Sequence, residues 1–569
     1  VPLKDCLIKN CEGLLNGKEE CIVQTSANKS ATIVLDFGRE VTGRPRIDFT
    51  ASDGTIIDIG LSEQIENDHI RPIPVTPLTA PNADRIIAKN GRQTWERFEW
   101  RGLRYLQLTI RNASKPLVIH KVELNFTCYP VKKDGSFTCS DDLLNKIWNM
   151  CVYTVQMCMH DGYVECPYRE MRTSMGDAYV ESLVNFIAFG DKFLTAKLLR
   201  QIAQTQTADG MVDMGATADF VAWSAMRSVD FCLDWIKLFR EYLRFTGDLN
   251  FVSELYLEMY KAINWFEKWV DENGLLNETP HWIFLDWTDT DKRGAHTVLN
   301  AMYVHTLKNC AEIADLLKQP EHAERWRKIA QTVSSAINKY LWDEKRGIYI
   351  DALVHEAQSR RVSQHSNAVC LAYGIAPKEH WERIISYITD PKRVKITDIG
   401  MELGERGSFA AFDEENDVVM TQPYSTHYLN RGLIKAGRED LAVGIIKERY
   451  GRMLENGATT AWELWDIILP DQSMCHGFSS TPAFDLSTEI LGIYPLEDGF
   501  KKVRISPKTA GLDWAEGSCP SPHGLIEVSW KCHSDNFHLQ VKAPENIELE
   551  VVLPDPSKPS TVTVNGKII

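Results

Sequence analysis

No run of about eighteen apolar residues occurs in the 569-residue chain, so no segment is built to cross a bilayer as a helix. Cys-x-x-Cys, His-Glu-x-x-His and Gly-x-Gly-x-x-Gly are all missing, and with them the signatures of structural zinc, metalloprotease and dinucleotide sites. Positive charge is in deficit: 63 Lys plus Arg stand against 78 Asp plus Glu, a net −15. That sign argues against nucleic acid and anionic membranes as partners. Repeats and low-complexity tracts are also missing. The first residues, Val1-Pro2-Leu3-Lys4-Asp5, carry no apolar signal core, although a leader removed earlier would leave no trace.

What is present is ordinary for a globular chain: 44% hydrophobic and 25% charged residues, at a length that needs two to four domains. Fourteen cysteines occur, and Cys151, Cys158, Cys232, Cys310 and Cys370 sit inside apolar runs with helical spacing. Buried thiols in a reducing, cytoplasmic compartment suit that placement better than a disulfide framework.

Periodicity divides the chain into three. Residues 1–133 alternate with period two, as in Ala31-Thr32-Ile33-Val34-Leu35 and Leu117-Val118-Ile119-His120-Lys121-Val122, which predicts a β-sandwich. Residues 134–493 switch to helical spacing. Ser140-Asp141-Asp142 offers a cap. Amphipathic segments recur near 178–188, 192–206, 222–246, 251–273, 296–317, 321–341, 363–373, 378–388, 425–436, 439–454 and 483–492. With the capped helix these make about twelve, enough for six helical hairpins. Residues 494–569 return to period two and predict a second β-sandwich.

The densest chemistry lies in Val164-Glu165-Cys166-Pro167-Tyr168-Arg169-Glu170-Met171-Arg172-Thr173-Ser174-Met175-Gly176-Asp177. Pro167 opposes a helix, so the stretch reads as a loop feeding one, with Asp177 near the helix start, where negative charge is favoured. Crowded carboxylates tend to keep one of their number protonated. A proton-donating acid beside an ionised one is the equipment of glycoside hydrolysis. A salt-bridged loop, with Arg169 and Arg172 neutralising Glu165 and Glu170, fits the charges equally well.

The pattern Glu-Cys-Pro-Tyr-Arg-Glu followed by Met-Gly-Asp resembles the acid loop of bacterial α-L-rhamnosidases, glycoside hydrolase family 78. The resemblance implies Glu170 as general acid, with Glu165, Arg169 and Asp177 holding the sugar. Glu165 stands where the family usually has Asp, and Ser174 where it usually has Trp. Gly457-Ala458-Thr459-Thr460-Ala461-Trp462-Glu463 is similar to the segment carrying the family's general base, which assigns Glu463. Trp462 and Trp465, one turn apart if helical, otherwise read as core. Phe284-Leu285-Asp286-Trp287 matches a pocket Asp-Trp, against the alternative of a helix cap beside a packed Trp. Trp223 corresponds to another pocket Trp, or is buried in the following helix. His476 follows Cys475, where the family carries Asn before its His, and is placed to bind a sugar hydroxyl unless it is structural. Cys166 lacks a His/Asn segment for nucleophilic catalysis and reads as a packing thiol.

The resemblance covers most of the chain. It implies an (α/α)₆ barrel catalytic domain flanked by two β-sandwiches, and an inverting hydrolase releasing terminal α-L-rhamnose without metal or organic cofactor. Inversion predicts carboxyls roughly 6.5–9.5 Å apart. A glycosidase of the same fold acting on another sugar, and a catalytically silent carbohydrate-binding protein, remain alternatives, as does a homodimer.

Overall fold

The computed structural model describes residues 6–26, 28–73, 81–216, 226–397, 412–466, 472–533, 536–557 and 559–568.

The N-terminal part is one antiparallel sheet folded over its own core. Its strand order is Cys6–Lys9, Cys21–Thr25, Leu117–Phe126, β1 (Ser30–Ala51), β3 (Arg101–Arg111), β2 (Ile56–Ser62) and Ala83–Ile87, with Gly91–Glu96 also on β1. The 22-residue β1 makes the fold possible. Its first half pairs with β3, its second half with Leu117–Phe126 and Gly91–Glu96, and the register shifts between Asp36 and Val41. Alternation then turns Ile33, Ile47, Phe49, Ile57, Ile59, Leu106 and Leu108 inward, as period two requires.

The helices are α1 (Asp142–Cys158), α2 (Met175–Ala188), α3 (Phe193–Ala203), α4 (Val229–Thr246), α5 (Tyr256–Trp265), α6 (Thr297–Leu316), α7 (Pro320–Tyr340), α8 (Gln364–Ala372), α9 (Trp381–Ile388), α10 (Pro423–Lys435), α11 (Glu439–Glu455) and α12 (Thr481–Asp485, continued by a π turn over Leu486–Ile490). Asp141 caps α1, accepting the Leu143 and Leu144 amides at 2.9 and 3.2 Å. Pro begins α7 and α10, where its missing N–H costs nothing.

The even-numbered helices close a ring: α2 packs on α4, α4 on α6, α6 on α8, α8 on α10, α10 on α12, and α12 returns to α2. The odd-numbered helices form the outer layer. Burial follows the same division. Every residue of α2 is buried, whereas α7 buries one stripe, Ala323, Trp326, Ala330, Val333, Ala336 and Ile337, at the spacing of a one-sided helix. Because each inner helix follows an outer one, all six inner helices run the same way and their N-termini meet at one mouth. Asp177, Asp230, His296, His365 and His476 sit at or beside those ends, where the helix dipoles favour negative charge.

The twelve-segment reading and the ring agree with the architecture, with local differences. The 251–273 segment is broken into Leu249–Glu254, α5 and a 3₁₀ turn at Phe266–Trp269. Trp462 and Trp465 do not share a helix: residues 461–466 form no regular element.

The C-terminal sheets are Trp514–Ser521, Gly524–Cys532, Phe537–Lys542, Ser560–Val564 and Lys567–Ile568, and separately Ile493–Pro495, Lys502–Ile505 and Glu548–Val551. Ser136–Cys139, which precedes the barrel, pairs with Trp514–Ser521 and ties the two regions together.

Candidate active site

The loop before α2 is pinned on three sides. The Glu165 amide donates to the Arg172 carbonyl at 2.8 Å, closing the loop on itself. Tyr168 leaves the barrel and is buried in the sandwich core, its hydroxyl donating to the Leu61 carbonyl at 3.0 Å. The Gly102 amide donates to the Pro167 carbonyl at 2.7 Å. A Cβ at Gly102 would lie 2.7 Å from the Pro167 Cβ, so only glycine allows that approach. The N-terminal sandwich thus holds the acid loop from behind. Met171, directly after Glu170, adopts a left-handed φ of 56°, a backbone cost of the kind that gathers at functional sites.

The base segment is a pair of antiparallel stretches. The Glu463 amide donates to the Ser473 carbonyl at 3.1 Å, and the Ser473 amide returns to Glu463 Oε2 at 2.9 Å. The His476 amide donates to the Ala461 carbonyl at 2.9 Å, and the Gly477 amide to the Glu165 carbonyl at 2.9 Å. That last bond joins the base segment to the acid loop.

Between them stands Arg169. Its Nη1 donates to Glu463 Oε2 and its Nη2 to Glu463 Oε1, both at 2.9 Å, and Nη2 also reaches Glu170 Oε2 at 3.1 Å. One guanidinium nitrogen therefore bridges the two carboxylates, so their nearest oxygens lie no farther apart than those two bonds laid end to end. Arg169 and Glu463 are buried. Burial alone would raise the Glu463 pKa. The charges of Arg169 and His476 and the bonds from Arg169 and Ser473 outweigh it and hold the carboxyl below its ordinary value.

The carboxyl that crowding raises is Glu165. Burial first, then the negative charges of Glu170 and Asp177 and a hydrogen bond to Glu170, push it well above the carboxylate range. Cys166 packs with its Sγ 3.9 Å from Glu170 Oε2. Burial and the Glu170 charge keep it a thiol, in keeping with a packing role.

Asp177 lies in the first turn of α2, its Oδ1 3.0 Å from His476 Nε2. Asp286 is engaged by protein: it accepts the Gln422 amide at 2.8 Å, the Trp287 amide at 2.9 Å and the Ser425 hydroxyl. Burial moves it up to about 6 despite those donors. Trp287 is half-buried, edge-on to Phe284 at 5.0 Å. Trp462 is 4% exposed, and its carbonyl accepts from the Ser479 hydroxyl at 2.6 Å. Ser174 is buried at the N-cap of α2, and Cys475 is buried beside the base segment. Trp223 lies outside the described residues.

Three carboxyls here escaped the sequence reading. Glu181 lies one turn beyond Asp177 on α2, fully buried, and is pushed well above its usual pKa by burial and the Asp177 charge. A charged residue midway along a largely apolar helical run was the available signal. Glu40 and Glu63 come from the N-terminal sheet. They look like ordinary charges of a β-sheet, and only the packing of sandwich on barrel buries them.

A ring of six helical hairpins whose common mouth gathers carboxylates on one arginine is the architecture of a six-hairpin glycosidase domain. The model of the bacterial α-L-rhamnosidase six-hairpin glycosidase domain matches residues 132–483. The concanavalin-like and C-terminal domains of the same proteins match 26–125 and 492–567. The chain belongs to the bacterial α-L-rhamnosidase family. An α-L-rhamnosidase of Alteromonas sp. (strain LOR) is 24% identical over 92% of this chain and 56% of its own length. One from Formosa agariphila is 21% identical over 94% and 56%. The chain spans a little over half the length of these relatives. The crystal structure of a GH78 family rhamnosidase of Bacillus sp. GL1 superposes with a TM-score of 0.86 at 28% identity, covering 98% of this chain and 57% of that one. A Klebsiella oxytoca rhamnosidase with rhamnose bound shares the fold, with a TM-score of 0.66 at 21% identity over 81% and 88%.

Proposed function

We propose that the chain hydrolyses terminal α-L-rhamnosides with inversion, Glu170 acting as general acid and Glu463 as general base. The observation that carries this reading is the meeting of the two glutamates on Arg169, from loops almost three hundred residues apart. Relatives of the same family that are named α-L-rhamnosidases, and a solved relative with rhamnose bound, support the choice of sugar.

The chemistry divides between the two sides of the mouth. Glu463, held ionised by Arg169 and Ser473, takes a proton from the water that attacks C1. The proton for the glycosidic oxygen is held at Glu165, which burial and the Glu170 and Asp177 charges push well above the carboxylate range and which hydrogen-bonds Glu170. It passes through Glu170 as the bond to the leaving group breaks. Inverting enzymes leave roughly 6.5–9.5 Å between carboxyls for sugar and water. Arg169 draws the nearest oxygens closer together than that range, so substrate entry parts Glu170 from Arg169 while Glu463 keeps its two bonds. Trp287 and Trp462 supply apolar faces for the pyranose, and Asp177 and His476 bind its hydroxyls. Asp286 acts through the backbone of Trp287, and Trp223 is assigned to the pocket by the family pattern alone. The thiols buried within α1, α4, α6 and α8 suit a reducing compartment.

The test is turnover of an aryl α-L-rhamnoside, set beside a panel of other aryl glycosides. Glu170→Gln and Glu463→Gln are each expected to lower kcat by about 10²–10⁴-fold, and NMR of the first product should show the inverted anomer. Near-normal turnover by both variants would sink the assignment, and preference for another glycoside would move the substrate.

A further inference from the structure

We propose that Glu63, on the N-terminal sandwich, is a positioning residue for Glu463, and that the active site is therefore built by two domains. The inference rests on Glu463 being the base.

Glu63 follows the last residue of β2 and enters the seam between sandwich and barrel, where it is 6% exposed. Its Oε2 accepts the Met474 amide at 2.8 Å. Met474 directly follows Ser473, whose amide holds Glu463 Oε2 at 2.9 Å. The Met474 carbonyl accepts the Thr460 hydroxyl at 2.8 Å, on the stretch that carries Glu463. One carboxyl from another domain thus fixes the stretch that orients the base.

The surroundings suit a constraint across the seam. Arg169 and Glu463 both act electrostatically on Glu63, as Glu63 does on Glu40 and Tyr168, and the Cys475 amide is a further donor to it. Burial pushes Glu63 up to about 8, so at pH 7 it is a neutral acceptor and not a counter-charge to Arg169. Its Oε1 is buried with no partner beside a cavity of about 200 Å³ lined by Glu40, Arg104, Thr459, Thr460 and Trp462. A neutral acceptor on the amide next to Ser473 serves geometry, and misplacement of a reacting group by about 1 Å costs about 10²-fold in rate.

The experiment compares Glu63→Met, which keeps the volume but loses the acceptor, with Glu63→Gln, which keeps an acceptor oxygen. Glu463→Gln runs alongside, all in the full chain with an aryl α-L-rhamnoside. Glu63→Met should lower kcat about 10²-fold with KM within a few-fold. It should also move the acid limb of kcat/KM upward, because a looser Ser473 amide holds the Glu463 carboxylate less well. Glu63→Gln should recover most of that loss and restore the limb. Should Glu63→Met not fold, Glu63→Asp, one methylene short of Met474, is expected to show the same upward limb shift. A normal kcat and an unmoved limb in whichever of these two folds overturns the positioning role, and so does a limb shift of equal size in Glu63→Gln. Normal turnover by Glu463→Gln instead overturns the base assignment beneath it.

Discussion

Arg169 grips both oxygens of Glu463 at 2.9 Å across 294 residues of sequence, and the same guanidinium holds Glu170. The planar fork of arginine matches a carboxylate through two parallel bonds, which a lysine cannot reproduce. Because the pair is buried, the arginine settles both the direction of Glu463 and its charge.

Arg169→Lys keeps the charge and loses the fork. We expect kcat to fall about 10²-fold. The acid limb of kcat/KM should move upward, since the bonds from Arg169 help to hold Glu463 below its ordinary pKa. Arg169→Met leaves buried carboxylates without a cation and should destabilise the chain by about 3–5 kcal/mol, read by chemical denaturation. A wild-type pH profile in Arg169→Lys would contradict this account.

The neighbours Asp286 and Trp287 should separate into structure and binding. Asp286→Ala strands the Gln422 and Trp287 amides and the Ser425 hydroxyl, a loss of about 1–3 kcal/mol for unsatisfied buried groups. Tm is expected to drop. Trp287→Ala, at a half-buried ring, should raise KM while leaving Tm close to wild type. The reverse pattern would exchange the two roles.

The stability that buried carboxyls contribute should fall as pH rises from 5 to 8. Burial raises Glu63 to about 8, Asp485 to about 7 and Asp286 to about 6, whereas their ordinary values lie near 4. Groups raised in the folded state bind protons more tightly there than in the unfolded chain. The stability they add is complete below the unfolded pKa and is lost as pH rises through the folded one. Thermal melts should show a smaller fall in Tm from pH 5 to pH 8 for Asp485→Asn than for wild type, because the buried neutral His160, His296 and His365 act in the opposite sense and equally in both. Equal changes in the two proteins would show Asp485 to be ionised in the fold.

Local periodicity carried the architecture. Period two marked the sheets, and period 3.6 marked segments such as 297–316 and 439–455 to within a residue or two, because burial of one face is written in spacing. The same sequence named Glu170 and Glu463 through short motifs. It overreached where tertiary packing overrides local pattern: Trp462 and Trp465 have helical spacing, yet the bonds from Glu463 to Ser473 and from His476 to Ala461 keep that stretch out of a helix.

By itself the sequence determined three regions, about twelve helices, two motif-bearing loops and a crowd of acids beside Arg169. Tertiary structure alone decided which acid keeps the proton and which loses it. Glu165 is raised by burial among carboxylates, while Glu463 is lowered by an arginine from the opposite loop. It also decided that Tyr168 and Glu63 carry the site across a domain seam. Desolvation and charge pairing depend on distances through space, and those exist only once sandwich and barrel have closed on each other.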